Sequence, residues 1–406
     1  MSFEVNRIRK DFPLLDTQVA GKPLVYLDNA ATTQKPAAVL DALDAYYRSY
    51  NANIHRGIHY LAEKATAAFE ETRKAVRDFL HAGSTEEIIF TYGTTDGINL
   101  VANTYGRKFL QAGDEILISA LEHHSNIVPW QLLCEEKGCV LKVIPIDDRG
   151  DLILEEFDRL LSEKTKLVSV VHVSNALGTI NPVEYIIGKA HAAGAKVLID
   201  GAQACSHIPV NVQELDADFY VLSAHKLFGP TGTGILYGKK ELLLAMPPFR
   251  GGGEMIKEVT FEKTTYADLP YKFEAGTPNI ADVIAFKAAL DYLGTLDKEG
   301  LARHEHELLE YATAQLETIE GLRIIGKARK KISVVSFAIE NIHPQDIGII
   351  LDQQGIAVRT GHHCTQPLMQ CLGVPGTVRA SFAPYNTREE IDALVAGLHK
   401  VKKFLS

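Results

Sequence analysis

A cysteine stands behind two histidines, with an arginine five residues earlier, in "VRTGHHCTQP", Val358 to Pro367. The thiol of Cys364 could be a metal ligand, an apolar filler or a nucleophile, and the stretch alone leaves all three open. Other reactive residue types close two apolar runs. "KVLIDGAQACSH" ends its run in Asp200, with Gln203 three residues on. "FYVLSAHKLFGPTGTG" ends in Ser223, His225 and Lys226, followed by glycines. A buried strand ending in an acid, with a lysine one strand later, suits pyridoxal phosphate. The amine condenses with the aldehyde, and the acid pairs with the protonated pyridine nitrogen and keeps the ring an electron sink. Taken singly, Asp200 reads as a helix cap and Lys226 as a solvated lysine.

Further candidates stand where other runs stop. "FTYGTTDGINL" carries Gly93, Thr94 and Thr95 into a helix start, where free N–H groups, hydroxyls and the helix dipole suit a phosphate. An ordinary threonine cap reads equally well there. "SALEHHSNIVPW" puts His123 and His124 past "EILIS", where an imidazole can stack on a flat ring, and "HVSNALGT" adds Asn175. Other motifs fail: "GPTGTGILYG" has no Lys-Ser/Thr after its last glycine and is no P-loop, and "HRGIH" lacks the acid of a zinc-protease helix. His304 and His306 in "RHEHELLEY" are two apart on a helix, share no face, and read as solvated surface.

The elements that must position these groups follow from periodicity. From about Leu24 to Gly238, the runs "EIIFT", "EILIS", "VLKVIPI", "LVSVVHV", "KVLID", "FYVLSA" and "GILYG" alternate with helical stretches such as "LAEKATAAFEETRKAVRDFL". Runs apolar on both faces predict an α/β fold, a mostly parallel seven-stranded sheet between helices. Ligands of such sheets bind beyond the carboxyl ends of the strands. After about Gly294, "KISVVSFAIE" reads as a strand packed on one face and "HPQDIGIILDQQG" as a helix. "NTREEIDALVAGLHKVKKFL" reads as a helix opened by a Thr387/Glu390 capping box. The expected division is an N-terminal segment over 1–23, a large cofactor-binding domain over 24–293 and a smaller α+β domain over 294–406 that carries Cys364. An irregular loop region spans 247–280.

Composition bounds the partners. A chain of 406 residues at 46% hydrophobic and 23% charged is globular and long enough for two domains. No apolar run approaches a membrane span, and "MSFEVNRIRK" lacks the apolar core of a signal peptide, so a cytoplasmic protein is expected. A net charge of −9 without a dense basic block argues against nucleic acid. Five cysteines, odd in number and widely spaced, read as free thiols. Cys134 and Cys139 read as packing residues on one helix, and Cys205 and Cys371 as filler. Cys371 has no second close pair around it, so no metal is expected.

With these residues assembled, the chain resembles the fold-type I pyridoxal-phosphate enzymes and, within them, the class V aminotransferase group. "SAHKLFGPTGTG" is similar to that group's lysine motif. "RTGHHC", "NANIHRGIH", "YLDNAATTQKP", "RGGGEM" and "FEAGTPN" narrow the resemblance to the type II, SufS-like cysteine desulfurases of the SUF iron–sulfur pathway. The resemblance implies that Lys226 is joined to the cofactor, Asp200 faces the pyridine nitrogen and His123 stacks on the ring. Gln203 and Asn175 touch its phenolate side, and Thr95, Ser223 and His225 hold the phosphate. Thr277 would reach the phosphate of another subunit, which implies a homodimer. Arg379 would clamp the substrate carboxylate, with Arg359 beside the reactive cysteine. His55, in the Asn-rich loop with Arg56, would line the substrate entrance, although a structural turn reads almost as well. One departure from the motif is Asp96, where some members carry Glu.

The same resemblance gives Cys364 a role. L-cysteine would be converted to L-alanine while the Cys364 thiolate takes the sulfur as a persulfide, to pass it to a SufE-like or SufU-like acceptor. An ordinary cysteine is only a few per cent ionised at neutral pH, and cationic neighbours such as Arg359 raise that fraction. A selenocysteine lyase on the same scaffold is the alternative function.

Overall fold

The computed structural model describes residues 3–405. All seven apolar runs pair into one sheet, in the order Ile88–Thr91, Gly234–Gly238, Phe219–Ser223, Lys196–Asp200, Thr165–Val171, Glu115–Ser119, Val140–Ile144. Only Gly234–Gly238 runs antiparallel to its neighbours; the remaining ladders are parallel. Alternate side chains of each strand serve two cores. Tyr220, Leu222, Val197 and Ile199 pack on one face with Phe69, Val76, Ile284 and Phe286. Phe219, Val221 and Leu198 pack on the other with Ile98, Leu100 and Trp130. Apart from the partly exposed edge strand Val140–Ile144, both faces are dry, which is why the runs are apolar.

A second, antiparallel sheet has the order Leu322–Ile325, Val334–Ile339, Thr377–Ser381, Arg359–Gly361. Helices Lys298–Glu317, Pro344–Asp352 and Arg388–Leu405 cover it, with Leu308, Ile347 and Leu394 in the shared core. Glu390 accepts the Thr387 N–H at 3.1 Å, the reach-back that a capping box requires.

Several expectations need correction. The "KISVVSFAIE" strand is buried on both faces: Val335 and Phe337 enter the small core, while Val334 packs with Val173 and Ala204. The hydroxyl of Ser336 donates to the Ala176 carbonyl at 2.6 Å, so the second sheet docks on the first through this face. Val25–Tyr26 pairs in parallel with Ile356–Ala357, and Leu27 lies in the small core, so the chain just after residue 24 sits with the C-terminal elements. The N-terminal segment bridges both parts: Phe12 meets Phe228 and Tyr385, and Arg9 pairs with Glu390 at 2.9 Å. The 247–280 region contains a hairpin of Ile256–Val259 and Thr264–Tyr266. Cys139 lies beyond the helix Val128–Lys137 that holds Cys134, and Cys371 is exposed rather than filler. His304 is half-buried, stacked on Phe3 and bonded to the Asn386 carbonyl, so only His306 is solvated.

Candidate active site

A cavity of about 220 Å³ opens at the carboxyl ends of the central strands, lined by residues from both sheets. Asp200 ends its strand there, 2% exposed, with one oxygen accepting the Ala202 N–H at 2.9 Å. Burial raises its pKa, opposed by that N–H and by Lys226. Lys226 sits in the tight turn after Phe219–Ser223. Loss of water pulls its amine down to about 8, with Asp200 opposing.

The turn that carries Lys226 is anchored through one carbonyl. His225 O accepts the Thr33 N–H and hydroxyl and the Thr32 hydroxyl at 3.1 Å each, and the Lys35 ammonium at 3.0 Å. The His225 ring is pushed down to about 4 by burial and the neighbouring lysines and is therefore neutral.

Beside the turn, the helix Thr94–Val101 starts against the cavity. The Ser223 hydroxyl oxygen accepts the Thr94 N–H at 2.8 Å and lies 2.9 Å from the Thr94 hydroxyl. Thr94 thus lines the cavity together with the expected Thr95.

His123 follows the strand Glu115–Ser119. Its Nδ1 accepts the Ser125 N–H at 3.1 Å. The ring is held down to about 3 by burial, with Lys226 next in effect. A neutral ring with an accepting Nδ1 carries its proton on Nε2. The loop is held from below by buried Glu122, which accepts the Val171 N–H at 2.9 Å and the Asn126 amide at 2.6 Å, and pairs with the Ser119 hydroxyl. Glu122 is a buried acid the sequence did not single out, since a glutamate beside histidines reads as surface.

From the second sheet come Arg359 and Arg379, and from the turn after the Arg359–Gly361 strand His363 and Cys364. The Cys364 thiol is exposed. His363 and Cys364 are consecutive left-handed residues, at φ 53° and 57°, a strain that surrounding bonds must hold. The Asn175 amide donates to the His363 carbonyl at 2.8 Å. His363 Nε2 pairs with the Thr377 hydroxyl at 2.7 Å, and burial drives the ring down to about 3, so it is a neutral strut. Arg379 is 1% exposed; its Nη1 donates to the Asn175 carbonyl at 2.8 Å and its Nη2 to Asp28 at 3.0 Å. Gln203 donates to the Ala30 carbonyl at 2.5 Å and lines the wall.

Two expected residues lie apart from this cavity. His55 Nε2 pairs with Glu70 at 3.0 Å, and its ring meets Phe69 and Tyr271 edge-on. Thr277 is exposed. Of their neighbours, Arg56 pairs with Glu254 at 3.0 Å and Asp96 with Arg250 at 2.5 Å. His343 caps the helix Pro344–Asp352 through its ring nitrogen.

The donor set fits pyridoxal phosphate: one amine of lowered pKa, one buried acid, and hydroxyls with N–H groups at a helix start for the phosphate. Three buried polar atoms of residues in the wall, Asn175 Oδ1, His363 Nδ1 and Arg379 Nε, have no partner in the protein; the first and last are the ones a bound group can use. A ring hydroxyl and a substrate carboxylate would complete them. No group of three or more His, Cys, Asp or Glu among the described residues could hold a metal ion. Nor is any described helix long and apolar enough to cross a membrane.

The chain belongs to the aminotransferase class-V family, whose model matches residues 25–394. Its relatives within that family include cysteine desulfurases. The cysteine desulfurase of Dickeya dadantii (strain 3937) is 52% identical over 404 residues, 99% of this chain and 98% of that protein. That of Synechococcus elongatus is 53% identical over 402 residues, 99% of this chain, but the chain spans only 64% of that longer relative. The crystal structure of the cysteine desulfurase CsdA from Escherichia coli superposes with a TM-score of 0.93 at 40% identity, covering all of both chains.

Proposed function

We propose that this protein is a pyridoxal-phosphate-dependent cysteine desulfurase that converts L-cysteine to L-alanine and takes the sulfur onto Cys364 as a persulfide. The observation that carries this reading is the opening of Lys226, Asp200 and Cys364 onto one cavity. The bound cofactor would withdraw electrons from the substrate's α-carbon, which acidifies its proton and polarises the side-chain carbon–sulfur bond.

The protein's own groups do the rest. Arg379, whose buried Nε has no partner in the protein, takes the substrate carboxylate. Lys226, once free, removes the α-proton, a task suited to an amine titrating near neutrality. His123, a neutral imidazole in the cavity wall, would stack on the cofactor ring. Thr94, Thr95, Ser223 and His225 would hold the phosphate, and Gln203 and Asn175 would meet the ring oxygen. The Cys364 thiolate attacks the substrate sulfur: an S–S bond forms, the C–S bond breaks, and the carbon keeps the electron pair and takes a proton. The exposure of the thiol suits hand-over to an acceptor protein, of SufE-like or SufU-like type, that supplies iron–sulfur cluster assembly. Thr277, outside the cavity of its own chain, supports a homodimer in which it reaches the phosphate of a second copy.

The test is incubation with L-cysteine, followed by amino-acid analysis and mapping of the modified peptide. Alanine and one added sulfur on Cys364 are expected. A Cys364→Ala protein that kept full sulfur transfer would overturn the mechanism and leave the cofactor site standing.

A further inference from the structure

Glu122 is 1% exposed and takes no part in the steps above. Its Oε1 accepts the Val171 N–H at 2.9 Å and pairs with the Ser119 hydroxyl, which itself accepts the Leu121 N–H at 3.1 Å. Its Oε2 accepts the Asn126 amide at 2.6 Å. That amide is oriented from its other end: Asn126 Oδ1 accepts the Trp130 indole N–H at 2.8 Å and the Ser169 hydroxyl at 2.6 Å. An indole nitrogen can only donate, so the Asn126 oxygen must face it and the NH2 group must face Glu122. The three bonded partners therefore all present hydrogens, and the site calls for an acceptor on both oxygens.

These bonds enclose His123. Glu122 and Asn126 stand on either side of it with their side chains joined, and the Asn126 N–H donates to the His123 carbonyl at 2.8 Å. The same carboxylate holds Val171, which pairs with Asp200 in the parallel ladder and lines the cavity. One side chain thus ties the loop of His123, the group for the face of the cofactor ring, to the strand beside Asp200, the group for its nitrogen. The Ser125 N–H on Nδ1 governs how the imidazole is turned. The Glu122 bonds govern how high it stands over the strand ends.

We propose that Glu122 is a positioning residue for the cofactor: its carboxylate sets the height of the His123 imidazole over the strand end of Asp200, and so how closely the imidazole lies on the ring. It acts through His123 and does not itself line the cavity. The assignment rests on the reading of His123 as the stacking group.

The test is a double-mutant cycle between Glu122 and His123. Apoenzyme of each variant is titrated with pyridoxal phosphate, which gives the dissociation constant and the maximum of the visible band. Glu122→Gln keeps the shape but turns an amide N–H toward the Val171 N–H or the Asn126 amide. Two buried donors facing each other should weaken cofactor binding about three- to tenfold and shift the visible maximum. In a His123→Ala background the same substitution should change the constant by less than about twofold and leave the maximum in place. A purely structural role for Glu122 would cost the same factor in both backgrounds, and that result overturns the proposal, as does an unchanged constant in Glu122→Gln alone. A His123→Ala protein with the wild-type constant and maximum overturns it too, since Glu122 would have nothing to position. Should Glu122→Gln fail to fold, Ser119→Ala decides, because it removes one hydrogen from the carboxylate. Its loss of affinity, about threefold, must vanish without His123; a loss that persists, or none at all, overturns the proposal. None of these measurements uses L-cysteine, so a holoenzyme that released no alanine would defeat the desulfurase reading and leave Glu122 to be judged by the cycle.

Discussion

The carbonyl of Cys364 accepts the backbone N–H of His124 at 2.8 Å, so the loop bearing the thiol is bonded to the loop bearing His123. A second bond runs the other way, from the Gln366 N–H to His124 Nε2 at 3.1 Å. The ring nitrogen that accepts it must be unprotonated. With the Asn175 bond to His363, these contacts hold two consecutive left-handed residues against their strain and fix the thiol over the strand ends.

His124→Ala keeps the backbone bond and deletes the side-chain one. Losing one hydrogen bond on a strained loop costs about 1 kcal/mol, so kcat/KM for L-cysteine should fall about three- to tenfold. Cys364 should also be alkylated faster by iodoacetamide. The rate must be read by peptide mapping, because Cys371 is exposed too. Unchanged alkylation and turnover would mean that the loop holds itself.

How much of this was legible beforehand depended on whether the information was local. The seven strands were, because each reads as an apolar run: six are buried on both faces, and the edge strand Val140–Ile144 keeps the pattern although it is partly exposed. So were Asp200, Lys226 and Cys364, whose residue types stand out at the ends of runs or among glycine and histidine. Asp28 was not: its partners are Arg359 and Arg379, more than 300 positions away, brought to it by the pairing of Val25–Tyr26 with Ile356–Ala357. Ser336 misled for the same reason. A serine in a strand signals a wet face, whereas here it meets the Ala176 carbonyl across the contact between the two sheets.

Lys226 sets a pH dependence. Burial brings its amine from 10.5 to about 8, and only the neutral amine attacks an aldehyde. The rate at which apoenzyme takes up pyridoxal phosphate should therefore climb about tenfold per pH unit below about 8 and level off above it. The same shift makes the apoenzyme gain stability as pH rises from about 8 to 10.5, where the unfolded chain holds the proton and the folded one does not. Stopped-flow absorbance of the visible band follows the uptake. A rate still climbing steeply at high pH would mean an ordinary lysine.

Arg73 is the largest buried cation away from the site. It is 1% exposed and forked onto Glu274 at 2.7 and 2.9 Å, and Glu274 also accepts the Phe90 N–H at 2.8 Å. The carboxylate thereby ties the 247–280 region to the strand that leads into Gly93 and Thr94. Glu274→Ala strands a buried guanidinium and should destabilise the protein by about 3–5 kcal/mol, read from urea unfolding. A loss below 1 kcal/mol would show that Glu70, 2.9 Å from the Arg73 Nε, suffices as counter-ion.

Gly234 tests how the phosphate cradle is shaped. A Cβ there would lie 2.4 Å from Gly93 Cα and 2.7 Å from the Leu222 carbonyl oxygen, backbone atoms that cannot rotate aside. Gly93 itself is held at φ 139°, a conformation that side chains avoid. Gly234→Ala must therefore push Gly93 and displace the Thr94 N–H, which bonds Ser223 at the wall of the cavity. The dissociation constant for pyridoxal phosphate, titrated against apoenzyme, should rise at least tenfold, about 1.4 kcal/mol. Gly188→Ala serves as the control, since a Cβ there meets nothing within 4 Å in the helix Val183–Ala192. Equal cofactor affinity in both variants would mean that the cradle yields without cost, and that the close approach of Gly93 to Gly234 plays no part in holding the phosphate.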